Sequence, residues 1–168
     1  MNHARNTVPV LAIHPTSQGF GFVLMTSPLS PVDWGTRVAR GKEKNVLCLK
    51  RIAELIDAHQ PEAIILEDPT APRSLRSERI KRLVRLIATF AEDQAIDVHV
   101  FSRAVIRECF DKFDARTRHE IAVSIAKRIP AFEPFLPPNR KSWNNEDPRM
   151  SVFSAAALAI TYFSGHSR

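Results

Sequence analysis

Two side chains capable of proton or metal chemistry stand where apolar runs of strand type break off. His14 follows Val8 to Ile13, and Glu67, with Asp68 beside it, follows Ala63 to Leu66. A third group lies at the mouth of the last helix, where Glu146 and Asp147 precede Ser151 and Ser154. Asp147, Ser151 and Ser154 fall at i, i+4 and i+7 and so share one helical face. Divalent-metal cleavage of a phosphodiester needs two ions clamped by several carboxylates. Magnesium prefers oxygen, whereas manganese or zinc also accepts an imidazole. The candidate metal ligands are therefore His14, Glu67, Asp147 and Glu146, with Glu67, His14 and Asp147 as catalytic candidates and magnesium or manganese as the ion. Each also has a plainer reading. His14 could close a strand before a turn-forming proline, and Asp147 followed by Pro148 is an ordinary helix cap. Ser151 and Ser154 are small enough to let a helix approach a sheet.

A second signal is positive charge. The chain carries 24 Lys and Arg against 18 Asp and Glu, giving a net charge of +6 over 168 residues. Arg73, Arg76, Arg79, Lys81, Arg82 and Arg85 crowd one stretch that holds a single acid, Glu78. Arg116 and Arg118 open another helix, where backbone donors can also hold a phosphate. Arg140 and Lys141 stand beside Trp143 in a Pro-rich segment, a pairing suited to a nucleic-acid strand. Such faces bind phosphates in a salt-sensitive and largely sequence-blind way. The alternative for each is an ordinary solvated face.

The elements that must position these groups follow from periodicity. Val8 to Ile13, Phe20 to Met25 and Trp34 to Arg40 read as three antiparallel strands. Leu49, Ile52, Ala53 and Ile56 recur at helical spacing over residues 43–59. Ala63 to Leu66 is a continuous apolar strand, Ser77 to Asp93 a helix, and Ile96 to Phe101 a fifth strand. Helices over 103–110, 117–129 and from about Pro148 to Phe163 complete the chain. Thr117 with Glu120 forms a capping box for the second of these. Residues 130–146 read as a long Pro-rich loop and residues 1–7 as a flexible start. The whole is one α/β domain with a mixed five-stranded sheet, three strands antiparallel and two parallel, flanked by helices, which is the ribonuclease H-like layout. Cys48 and Cys109 have no zinc or redox spacing, which suits a reducing compartment. No apolar run approaches the ~20 residues of a membrane span. These features point to a cytoplasmic protein without membrane contact.

Three motifs carry a family resemblance. Val10-Leu11-Ala12-Ile13-His14-Pro15-Thr16-Ser17 with Gly19-Phe20-Gly21 resembles the first-strand motif of RuvC-like Holliday-junction resolvases, which have aspartate at the position of His14. Ile64-Ile65-Leu66-Glu67 resembles that family's second acidic strand, glutamate included. Ser151 to Ile160 is similar to the final-helix motif, in which the positions of Ser151 and Ser154 are acidic. The resemblance implies a metal-dependent endonuclease acting on branched or double-stranded DNA as a homodimer. The departures at His14, Ser151 and Ser154 weaken magnesium binding. Two functions stay open: a metal-dependent nuclease, or a catalytically degenerate DNA-binding module that keeps the fold and the basic surface. An actin-like phosphotransferase, whose first-strand turn is also similar, needs two domains around its nucleotide, and one chain of this length does not supply them.

Overall fold

The computed structural model describes residues 7–70, 76–139 and 146–166. Its elements are β1 (Val10–Thr16), β2 (Gly19–Ser27), β3 (Ser30–Val38), α1 (Lys44–His59), β4 (Ala63–Glu67), α2 (Glu78–Asp93), β5 (Asp97–Phe101), α3 (Arg103–Asp111), α4 (Arg118–Arg128), a 3-10 helix (Pro130–Phe135) and α5 (Met150–His166). The strands form one sheet in the order β3-β2-β1-β4-β5. β1 to β3 are antiparallel neighbours, whereas β4 and β5 run parallel to β1. This is the mixed five-stranded sheet that the periodicity predicts.

Both faces are covered, which explains why β1 and β4 read as continuous apolar runs rather than alternating ones. Leu11, Ile13, Ile64 and Leu66 pack beneath α1 and α2 with Cys48, Ile52, Leu83 and Ile87. Val10, Ala12, Ala63 and Ile65 face the other layer, where α3, α4 and α5 contribute Ile106, Ile121, Phe153 and Leu158. Because successive side chains alternate, His14 and Glu67 continue the second set and point toward α5. Among the described residues no helix is long and apolar enough to cross a membrane.

Three boundaries differ from the sequence reading. β1 does not stop at Ile13; His14, Pro15 and Thr16 pair on with Gly21, Phe20 and Gly19 of β2. The pairing with β4 ends at Ala12↔Ile65, so Pro15 sits where one side of the strand is already open and its missing N–H breaks no ladder there. β3 begins at Ser30, ahead of Trp34, and ends at Val38. It is an edge strand with no fully buried residue, so its apolar signal is weak. The stretch read as a Pro-rich loop opens with the 3-10 helix, whose Phe132 is buried against Trp34, ring centroids 5.1 Å apart, and against Phe153. Residues 140–145, with Arg140, Lys141 and Trp143, lie outside the described residues, as do Arg73 and residues 1–6.

Helix α5 lies directly on β1 and β2, and its contact face is small: Ser151, Ala155, Ala156 and Ala159 are all buried. The closest approach is at Gly21, where a Cβ would fall 2.5 Å from the Ser151 carbonyl carbon and 2.6 Å from its Cβ. Gly21→Ala is therefore expected to destabilise the fold by about 1–3 kcal/mol or more, read as a lower urea midpoint at unchanged m-value. Adding Ser151→Gly should not restore stability, because the Ser151 backbone itself blocks the methyl group.

Candidate nucleic-acid site at the end of the sheet

The parallel strands β1, β4 and β5 end on the same side of the molecule. Extending the β1–β4 register past Ala12↔Ile65 sets His14 level with Glu67, and Glu67 itself pairs with Phe101 at the end of β5. His14 and Glu67 line one cavity of about 130 Å³. The chain thus brings together the two strand-end residues singled out from sequence. The cavity floor is apolar, built from Ile106, Ile121, Met150, Phe153, Ala157 and Leu158, and its rim carries Arg103, Arg107, Arg116 and Arg118. A wider groove of about 660 Å³ lies on the other side of His14, bordered by Arg37, Arg40, Arg76, Glu146, Asp147 and Ser151.

His14 is buried, with 6% of its surface exposed. Its pKa is held well below the ordinary 6.5, first by loss of solvation and then by Arg76, Arg118 and Arg103. The imidazole is therefore neutral near pH 7 and offers one donor and one acceptor. Among the described residues neither ring nitrogen has a hydrogen-bond partner, and neither is sealed from the cavities.

Of the carboxylates near this point, Glu67, Glu146 and Asp147 are each paired with an arginine, whereas Asp68, beside Glu67, accepts from the Thr70 N–H and hydroxyl at 2.8 and 2.7 Å. Glu67 Oε1 accepts from Arg103 Nε at 3.2 Å, with the glutamate side chain mostly buried. Glu146 accepts from Arg118 Nη1, and Arg118 Nη2 donates to Ser154 Oγ at 2.7 Å. Arg149 bonds both oxygens of Asp147, at 2.7 and 3.0 Å, and this bond keeps the Asp147 pKa below the usual carboxylate range. Asp147 also accepts from the Arg149 backbone N–H, as a cap of the turn that leads into α5. Ser151 is a packing residue: its buried hydroxyl donates to the Pro148 carbonyl at 2.7 Å. Among the described residues no group of three or more His, Cys, Asp or Glu is placed to hold a metal. The donor set therefore does not fit a two-magnesium centre. Its carboxylates are neutralised, its histidine is uncharged, and arginines stand around them.

The basic residues named from sequence divide by their surroundings. Arg82 and Arg85 are exposed on α2, and Arg116 and Arg118 on the rim. Arg79 is turned inward, donating to Asn45 Oδ1 and to the Thr16 carbonyl, both at 2.9 Å. Arg76 donates to the Pro15 carbonyl at 2.5 Å, and Lys81 pairs with Glu78 at 3.4 Å. Sequence reasoning passed over Arg103 and Arg107. Their signal was available: they open the helix after β5, and a parallel β5 must end beside Glu67.

Strand order, the paired strand ends and the seating of α5 define a ribonuclease H-like domain. No protein-family model and no curated protein sequence matches the chain. Solved structures do. Thermus thermophilus RuvC is similar over 95% of this chain and 96% of that one, with a TM-score of 0.64 at 16% identity. The yeast mitochondrial Holliday junction resolvase Ydc2 covers 96% and 82%, with a TM-score of 0.60 at 12% identity. The fowlpox virus resolvase, solved with Holliday junction DNA, covers 95% and 99%, with a TM-score of 0.57 at 12% identity. At such identities the likeness is one of fold, and the fold is RuvC-like.

A native His14 pKa below 6.5 has a sign that can be checked. Below about pH 6.5 the unfolded chain binds a proton at this site that the folded protein refuses, so stability falls as pH drops toward the native pKa. Urea unfolding between about pH 7.5 and 5.5 should show this loss, and His14→Gln should flatten it. An NMR titration of the His14 ring with a midpoint at or above 6.5 would contradict the burial argument.

Proposed function

We propose that this protein is a DNA-binding domain of nuclease ancestry, in which arginines rather than divalent ions meet the phosphates at the end of the sheet. The observation that carries this reading is the charge arrangement around His14. Arg76, Arg103 and Arg118 surround an uncharged imidazole, while Glu67 and Glu146 are each tied to one of them. Such a site repels a divalent cation and attracts a phosphate. The guanidinium fork suits phosphate oxygens better than a lysine would, because it donates two parallel hydrogen bonds from a fixed plane.

Support for DNA as the partner comes from two directions. Arg82 and Arg85 on α2, and Arg37 and Arg40 beside the groove, extend the positive surface away from the pocket. Among the structures with this fold, T. thermophilus RuvC and the fowlpox virus resolvase were solved with Holliday junction DNA. We take branched or double-stranded DNA as the ligand, bound by a homodimer when the ligand is itself two-fold symmetric. The competing reading is a metal-dependent endonuclease with Glu67 at its centre.

Two measurements separate these readings. Affinity for a four-way junction should fall by about 10³-fold or more between 50 and 200 mM salt, as several phosphate contacts require, and adding magnesium or manganese should yield no cleavage product. Arg118→Ala should weaken binding by about tenfold or more, since a charged donor is lost. Glu67→Gln should bind the junction at least as tightly as the natural protein, because it frees Arg103 for phosphate. Cleavage that needs a divalent ion and disappears in Glu67→Gln would establish the nuclease instead.

A further inference from the structure

The cavity beneath Arg103 and Arg118 is more than a place for a phosphate. Its floor is made of six apolar side chains, four from α5 and one each from α3 and α4. A phosphate alone would leave that floor uncovered and gain nothing from it. A cavity of about 130 Å³ is close to the roughly 150 Å³ of an apolar site that accepts benzene, so it holds one flat six-membered ring. Phe153 lies at its base, and its position against Phe132 fixes the ring. His14 lines the same space as well as the wider groove, nothing in the described residues bonds its two ring nitrogens, and 94% of its surface is covered, the complement of its 6% exposure. A neutral imidazole of this kind offers one donor and one acceptor on ring nitrogens that point apart, so one of them can meet a polar atom on a ligand's edge.

One ligand answers to all three features: a flat single ring for the floor, a hydrogen-bonding edge for His14, and an anion one bond system away for the arginine rim. We propose that the cavity receives a single pyrimidine nucleotide turned out of a DNA strand, its base against Phe153 and Leu158, its edge on His14 and its phosphate on Arg103, Arg107 and Arg118. This deepens the DNA-binding reading and rests on it. The cost of unstacking is least where a base is unpaired or mispaired, so the site favours irregular DNA over uniform duplex. A purine, with its second ring, is too large for the floor.

The test uses the full-length protein and three duplexes of otherwise equal sequence, carrying a central T·T mismatch, an A·A mismatch or no mismatch. Binding to the T·T duplex should be about tenfold tighter than to the other two, which should not differ. One mispaired thymine should become protected from permanganate when the complex forms. In Ala157→Leu, which fills the floor, the ratio of T·T to paired affinity should fall to about one, with folding checked by circular dichroism. Free thymidine 5′-monophosphate, set beside inorganic phosphate as competitor, shows whether a loose nucleotide suffices; competition by the nucleotide at lower concentration than phosphate supports the base contact. Salt-sensitive binding that is equal for all three duplexes, with no thymine protected, overturns the base pocket and leaves the DNA-binding reading standing. Failure to bind any of the three while a four-way junction is still bound overturns the base pocket alone, and failure on the junction as well overturns both. Should Ala157→Leu not fold, the comparison of T·T with A·A on the natural protein decides alone.

Discussion

The seating of α5 against the sheet is the constraint on which the rest depends. A helix can lie that close to β1 and β2 only if the facing side chains are nearly absent, and Gly21, Ser151, Ala155, Ala156 and Ala159 meet that need. Once seated, the helix carries its first turns over the ends of the parallel strands. Ser154 is then held beside His14 and Glu67 on the wall of one cavity. It also makes Ser151 part of the packing rather than part of the chemistry, with its hydroxyl turned back on Pro148. The polar pocket is a by-product of apolar fit.

Burial decides the charge state of what lies in that pocket. A neutral His14 costs little to enclose, whereas an imidazolium beside Arg76, Arg103 and Arg118 would be opposed by both desolvation and repulsion. The carboxylates are paired instead, Glu67 with Arg103 and Glu146 with Arg118. These pairs differ in setting. Glu67 is largely covered, while Glu146 and Arg118 are both more than one-third exposed and screened by solvent. A phosphate approaching from outside therefore meets two paired arginines: Arg103, itself more than half exposed, gives Nε to Glu67, and Arg118 gives its two terminal nitrogens to Glu146 and Ser154.

Much of this architecture is legible from residues alone, for identifiable reasons. Strands buried on both faces announce themselves as unbroken apolar runs, so the ends of β1 and β4, with His14 and Glu67, could be located. The capping box at Thr117 and Glu120 is present as read, because its hydrogen bonds are local. What escaped is what depends on distant neighbours. Nothing adjacent to Ser30 marks an edge strand, and Pro130 and Pro134 hide a short helix whose single anchor, Phe132, is fixed by Trp34 about a hundred residues earlier. Arg79 looks in sequence like one more surface cation, yet its partners, Asn45 and Thr16, come from two other elements. Pairing of carboxylates with arginines is equally non-local, so motifs do not show which cations stand against Glu67 and Glu146.

The inward turn of Arg79 has a mechanical meaning. Through one guanidinium it ties α2 to α1 at Asn45 and to the last residue of β1 at Thr16, while Asn45 returns a bond to the Arg79 carbonyl at 3.1 Å. Arg76 adds a second rivet one residue back along β1, at Pro15. The outer face bearing Arg82 and Arg85 and the strand tip bearing His14 are thus tied together by side-chain bonds at two points. On the proposed DNA-binding reading, a strand held by that face would meet the pocket at a distance set by these bonds.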